Sequence, residues 1–126
     1  MRLVLLAAGG GAIGAAARYL LNVGMGRWLG PAFPWATFAA NVSGCLLMGL
    51  LAGALIGREV ETTALRTFLA TGILGGYTTF SAFSLDFANL VHRGDTVAAF
   101  AYAAGSVLLS VAAVFAGLAI AKGLAS

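Results

Sequence analysis

From Thr71 to Ser84 the chain reads Thr-Gly-Ile-Leu-Gly-Gly-Tyr-Thr-Thr-Phe-Ser-Ala-Phe-Ser. This segment is apolar enough for a membrane but poorly suited to a continuous helix. Gly75 and Gly76 each cost about 1 kcal/mol relative to alanine in a helix interior. Thr78 and Thr79 add hydroxyls that compete for backbone hydrogen bonds. Irregular backbone at membrane depth is tolerated only where it is buried in protein or lines a wet cavity. A helix broken here points to an ion site, because freed carbonyls attract cations and freed N–H groups attract anions.

Other polar groups in apolar surroundings could serve the same chemistry. Asn41 carries a primary amide that cannot satisfy its donors alone in hydrocarbon. On a helix, Thr37, Asn41 and Cys45 share a face at four-residue spacing. Asn41 is then either a hydrogen-bonding link between helices or a pore-lining donor. Tyr102, Ser106 and Ser110 repeat the spacing and give a hydroxyl stripe about 12 Å long. Single serines commonly bond back to their own helix, whereas three hydroxyls on one face form a polar track. Phe80 and Phe83, at i and i+3 after the break, either pack together or turn their partially positive ring edges toward an anion.

These groups must be positioned by membrane helices. Of 126 residues, 61% are hydrophobic and 9% charged, against about 25% charged in soluble domains. The expected fold is an all-α integral membrane domain occupying the whole chain. Its four spans cover roughly 3–21, 35–57, 64–91 and 96–122, the third broken near 75–78. Each approaches the roughly 20 residues that cross a bilayer. The first span is expected to end at Arg18-Tyr19, a cation and aromatic suited to an interface. The stretch 22–34, with Trp28, Gly30, Pro31 and Pro34, reads as a turn-rich connection. Gly10 with Gly14, and Gly49 with Gly53 and Gly57, read as close-packing faces.

Charge placement bears on orientation. Arg2, Arg58, Arg66 and Lys122 fall on one side of such a topology, and Arg18, Arg27 and Arg93 on the other. So little bias does not select an orientation and is compatible with insertion both ways and antiparallel pairing. A fixed orientation from a small bias remains the alternative.

Several function classes are excluded. The net charge of +3 comes from basic residues scattered at span ends, so no nucleic-acid partner is expected; the lipid bilayer is the expected surround. The sole cysteine, Cys45, reads as a small buried apolar residue. No Cys/His cluster or phosphate-binding loop supports catalysis. Of the four acids only Asp86 lies within a span, near its end, so a proton-coupled exporter with a buried carboxylate fits poorly. A structural subunit would explain the glycines but not the broken helix beside Asn41 and the hydroxyls.

Three motifs carry a resemblance over essentially the whole chain. They are Gly14-Ala-Ala-Ala-Arg18-Tyr19, Thr37 through Asn41-Val-Ser-Gly44, and Gly72-Ile-Leu-Gly75-Gly76-Tyr-Thr78-Thr79-Phe80-Ser81-Ala-Phe83-Ser84. The chain resembles the Fluc (CrcB) fluoride channels of bacteria and archaea. Two positions depart from the family pattern: Ala82, usually Thr, and Tyr77, commonly aliphatic. The resemblance implies a multi-pass protein of the prokaryotic inner membrane, an antiparallel dual-topology homodimer with two fluoride pores. The carbonyls of Gly75 and Thr78 from both copies would hold a structural Na⁺ at its centre. Asn41, Thr79, Phe80, Ser81, Phe83, Tyr102, Ser106 and Ser110 would line the fluoride path, with Arg18 and Asp86 near its vestibule.

Overall fold

Runs of Ala, Leu and Val without proline favour long helices, and the first continues as far as the sequence permits. A computed structural model describes residues 1–125. Helix α1 (Arg2–Leu29) has 28 residues, about 42 Å at 1.5 Å per residue, and overhangs a hydrocarbon core of about 30 Å. It does not stop near Arg18-Tyr19, because nothing before Gly30 and Pro31 breaks it. Gly30 ends it at φ 75° and donates its N–H to the Gly26 carbonyl at 3.0 Å. Arg18 is therefore well inside the helix and not at its end.

Helix α2 (Trp35–Ala54) begins directly after Pro34, where the missing N–H costs little. It ends before Gly57, which sits in a turn at φ 82° with open space around it and forms no packing face. The third span, Thr63–His92, is composite. It comprises α3 (Thr63–Arg66), a wide π-helical stretch (Thr67–Leu74), α4 (Gly75–Tyr77) and α5 (Phe80–His92). Helix α6 (Thr96–Ala125) completes the chain. Four helices are long and apolar enough to cross a membrane, and the described residues contain no strand.

The glycine pair does not mark the break. Gly75 and Gly76 are helical, and the chain turns extended at Thr78 (ψ 156°) and Thr79 (φ −153°, ψ 127°). A methyl on Gly76 would lie 2.6 Å from the Gly11 carbonyl, so this glycine serves contact with α1. That contact outweighs its weak helix propensity.

The break changes the span's neighbour. Before it, the π-helical stretch and α4 lie on α1; after it, α5 packs on α6, which itself lies along α2. At the far end Arg93 bonds Asp95 at 3.0 Å and donates to the Ala32 carbonyl at 2.5 Å, tying the last turn to the α1–α2 connection. Buried Leu90, Ala99 and Tyr102 anchor a small aromatic core with Phe33, Phe38, Phe83 and Phe87.

Backbone contact between α1 and the third span yields a direct expectation. A methyl on Gly14 would overlap the Ile73 carbonyl, whereas one on Gly9 meets nothing within 4 Å. Gly14→Ala should lower stability by about 1–3 kcal/mol through overpacking, and Gly9→Ala should not. Thermal melting in detergent distinguishes the two; equal melting temperatures would contradict the packing.

Candidate functional site

Asn41 and Thr79, 38 residues apart, form the centre of the site. The Asn41 amide donates through Nδ2 to the Thr79 carbonyl at 2.9 Å, and its Oδ1 accepts the Thr79 N–H at 2.7 Å. Flipping the amide would mismatch both bonds, so the network fixes its orientation. The side chain acts as a strand would, satisfying both backbone groups of the residue at the break. Gly44, three residues on, permits this approach: a methyl there would clash with the Thr78 side chain.

This pairing changes the hydrogen bonding on either side. A continuing helix would aim the Thr79 N–H at the Gly75 carbonyl and the Ala82 N–H at the Thr78 carbonyl. The first goes to Asn41, and the second caps α5 by bonding Thr79 Oγ1 at 3.2 Å. The Gly75 and Thr78 carbonyls thus lack their helical donors, the chemistry a hard cation requires. Gly75 also lies on the exposed surface of the protomer.

Beside the break is a cavity of about 230 Å³ lined by Asn41, Cys45, Thr78, Thr79, Phe80, Phe83, Ser106, Val107 and Ser110. Ser106 is only 4% exposed, and neither its Oγ nor that of Ser110 has a hydrogen-bond partner. Neither serine bonds back to its own helix. Asn41 keeps a second Nδ2–H beyond the one given to Thr79. Phe80 and Phe83 rings lie 5.5 Å apart. No carboxylate or cationic side chain lines the cavity.

Not every candidate residue is gathered here. Tyr102 is on the same face of α6, but its hydroxyl donates to Asp86 at 3.1 Å and its ring packs on Phe83 at 5.1 Å. Ser81 is exposed, its Oγ 3.3 Å from Thr79 Oγ1. Asp86 lines a second cavity of about 360 Å³ toward the α1–α2 connection, with Thr37, Asn89 and Arg93. Arg18 belongs to neither cavity; its Nε donates to the Gly76 carbonyl at 3.3 Å. Tyr77, one of the two departures, has its hydroxyl 3.0 Å from Ser43 Oγ. The Ser43 proton is given to the Ala39 carbonyl at 2.6 Å, so the tyrosine is the donor. Sequence reasoning passed over Cys45 and Thr78 as cavity-lining side chains, although the four-residue spacing from Asn41 was a signal for Cys45.

Comparison with known proteins gives the family. The family described as "CrcB-like protein, Camphor Resistance (CrcB)" matches residues 5–118. The chain belongs to the CrcB family. A relative from Rhodospirillum centenum is 57% identical over 122 residues, covering 95% of each chain. Another from Phenylobacterium zucineum is 54% identical over 125 residues, covering 97% of each. A third, from Nitrobacter winogradskyi, is 52% identical over 119 residues, covering 94% of each. All three bear the name "Fluoride-specific ion channel FluC". As a CrcB-family protein the chain is a multi-pass protein of the bacterial inner membrane, in a family of ion channels and not of enzymes.

Proposed function

We propose that this chain is a fluoride-selective channel through which the ion leaves the cytoplasm passively. The observation that carries this reading is the cavity at the broken helix. Unpartnered Ser106 and Ser110 hydroxyls, the spare Asn41 N–H and the Phe80 and Phe83 rings meet there. Fluoride is small and strongly hydrated, so a selective path must replace its water with closely placed donors. Hydroxyls, an amide and ring edges supply these without a cationic side chain to trap the ion. The lack of a carboxylate in the cavity supports conduction without proton coupling.

The working unit in this reading is an antiparallel homodimer with two paths. Its support is the small charge bias, four basic residues on one side against three on the other, and the 76% exposure of Phe80 beside the cavity. A resident Na⁺ between the two copies fits the Gly75 and Thr78 carbonyls. It would supply positive potential to the dimer centre when bound.

The deciding experiment is release of fluoride from liposomes containing purified protein, read with a fluoride electrode, valinomycin clamping the voltage and chloride measured in parallel. Rapid fluoride release without chloride is expected. Release of neither ion from dimeric protein would refute a self-sufficient channel. The cation reading has its own check: preparation in N-methylglucamine in place of Na⁺ should lower the melting temperature and the release rate. Full activity after rigorous exchange would count against the site.

A further inference from the structure

Cys45 occupies a place in the cavity that its plain reading as buried apolar filler does not explain. It lines the wall one helical turn beyond Asn41, and the 96%-buried Ser106, with its hydroxyl unpartnered, lines the same space. One further turn along, α2 and α6 meet backbone to backbone. A methyl on Gly49 would overlap the Val114 carbonyl, and one on Gly117 would lie 2.5 Å from the Leu46 carbonyl. Gly49 follows Cys45 by four residues, and Val114 follows Ser110 by four, so the thiol and this serine bound the cavity where the helices close. There is no spare width at that end, because neither helix can move toward the other or gain a side chain between them.

We propose that the Cys45 thiol is part of the ion path, a weak S–H donor facing the hydroxyl track, and that conduction is therefore sensitive to thiol modification. The inference rests on the channel reading above. A group added to the sulfur would fill the space an anion needs and replace the S–H donor with a disulfide that cannot donate. At the narrow end, beside the α2–α6 backbone contact, a methylthio group takes up width that neither helix can restore.

The test uses the reconstituted full chain and methyl methanethiosulfonate, a small neutral reagent. The thiolate is the nucleophile. After its proton passes to water, Cys45 sulfur attacks the methylthio sulfur, an S–S bond forms, and methanesulfinate leaves. With one cysteine in the chain, intact mass reports the adduct without ambiguity.

One adduct on the folded protein is expected, with fluoride release falling in proportion to the fraction modified and recovering on treatment with a thiol reductant. Cys45→Ser has nothing to modify, so its rate must not respond to the reagent. A complete adduct with undiminished release would overturn the inference. So would failure of the folded protein to react while the denatured chain does. If the untreated protein released no fluoride at all, the channel reading itself would fall, a result distinct from both.

Discussion

Replacing Asn41 with alanine is expected to remove both the helix break's support and the fluoride current. The amide holds the N–H and the carbonyl of Thr79 at 2.7 and 2.9 Å, and alanine leaves both without a partner. Each unpaired buried backbone group costs about 1–3 kcal/mol, so destabilisation of about 2–6 kcal/mol is expected from the pair. Thermal melting and liposome efflux together check this. A variant that melts like the parent and still conducts would show that Asn41 is dispensable to both. Asn41→Asp separates the two roles. Its carboxylate can accept from Thr79 but cannot donate, and it puts a negative charge in the path, so efflux should fall even where the fold survives.

The phenylalanines test the other side of the cavity. Isoleucine at Phe80 or Phe83 keeps most of the apolar bulk and removes the ring edge with its partial positive charge. Phe83 is also packed on Tyr102, so its replacement carries a modest structural cost within the protomer, where Phe80 is 76% exposed. Efflux is expected to fall at least about tenfold in each variant, corresponding to about 1.4 kcal/mol in barrier height, with dimerisation by size-exclusion chromatography unchanged. Undiminished efflux in both variants would remove the rings from the ion path.

Much of the fold was legible because the bilayer imposes a length and a composition on anything that crosses it. The four spans, the irregular third one, and the Asn41 and serine faces all follow from spacing and apolar content. The exact site of the break did not. Glycine propensity is a local preference, and the contact of Gly76 with Gly11 on α1 overrides it, moving the extended residues to Thr78 and Thr79. The first helix ran past Arg18 because no breaker intervenes before Gly30, so a cation suited to an interface instead reaches the Gly76 carbonyl. That Asn41 links two helices was one of the two readings open from the sequence; its partner Thr79 was not legible, since the pairing joins residues distant in sequence through a geometry that exists only after α2 and the third span meet. The hydroxyl stripe on α6 does not act as one row: Ser106 and Ser110 line the cavity and Tyr102 bonds Asp86. Its division between the serine cavity and the Tyr102–Asp86 bond depends on where neighbouring carboxylate and aromatic groups lie.

The π-helical stretch from Thr67 to Leu74 has a consequence for helix phase. Each of its turns closes over five residues instead of four, so rotation lags behind an ordinary helix and the lag is inherited by everything downstream. Angular positions counted from the start of the span therefore misplace Thr78, Phe80 and Phe83, and only counting from the break gives their true azimuth. Insertions and deletions in these eight residues are thus not neutral changes of length. One residue removed would swing the remainder of the span by somewhat less than the roughly 100° of an α-helical residue and turn the groups facing Asn41 to another direction, although no residue touching the cavity had changed.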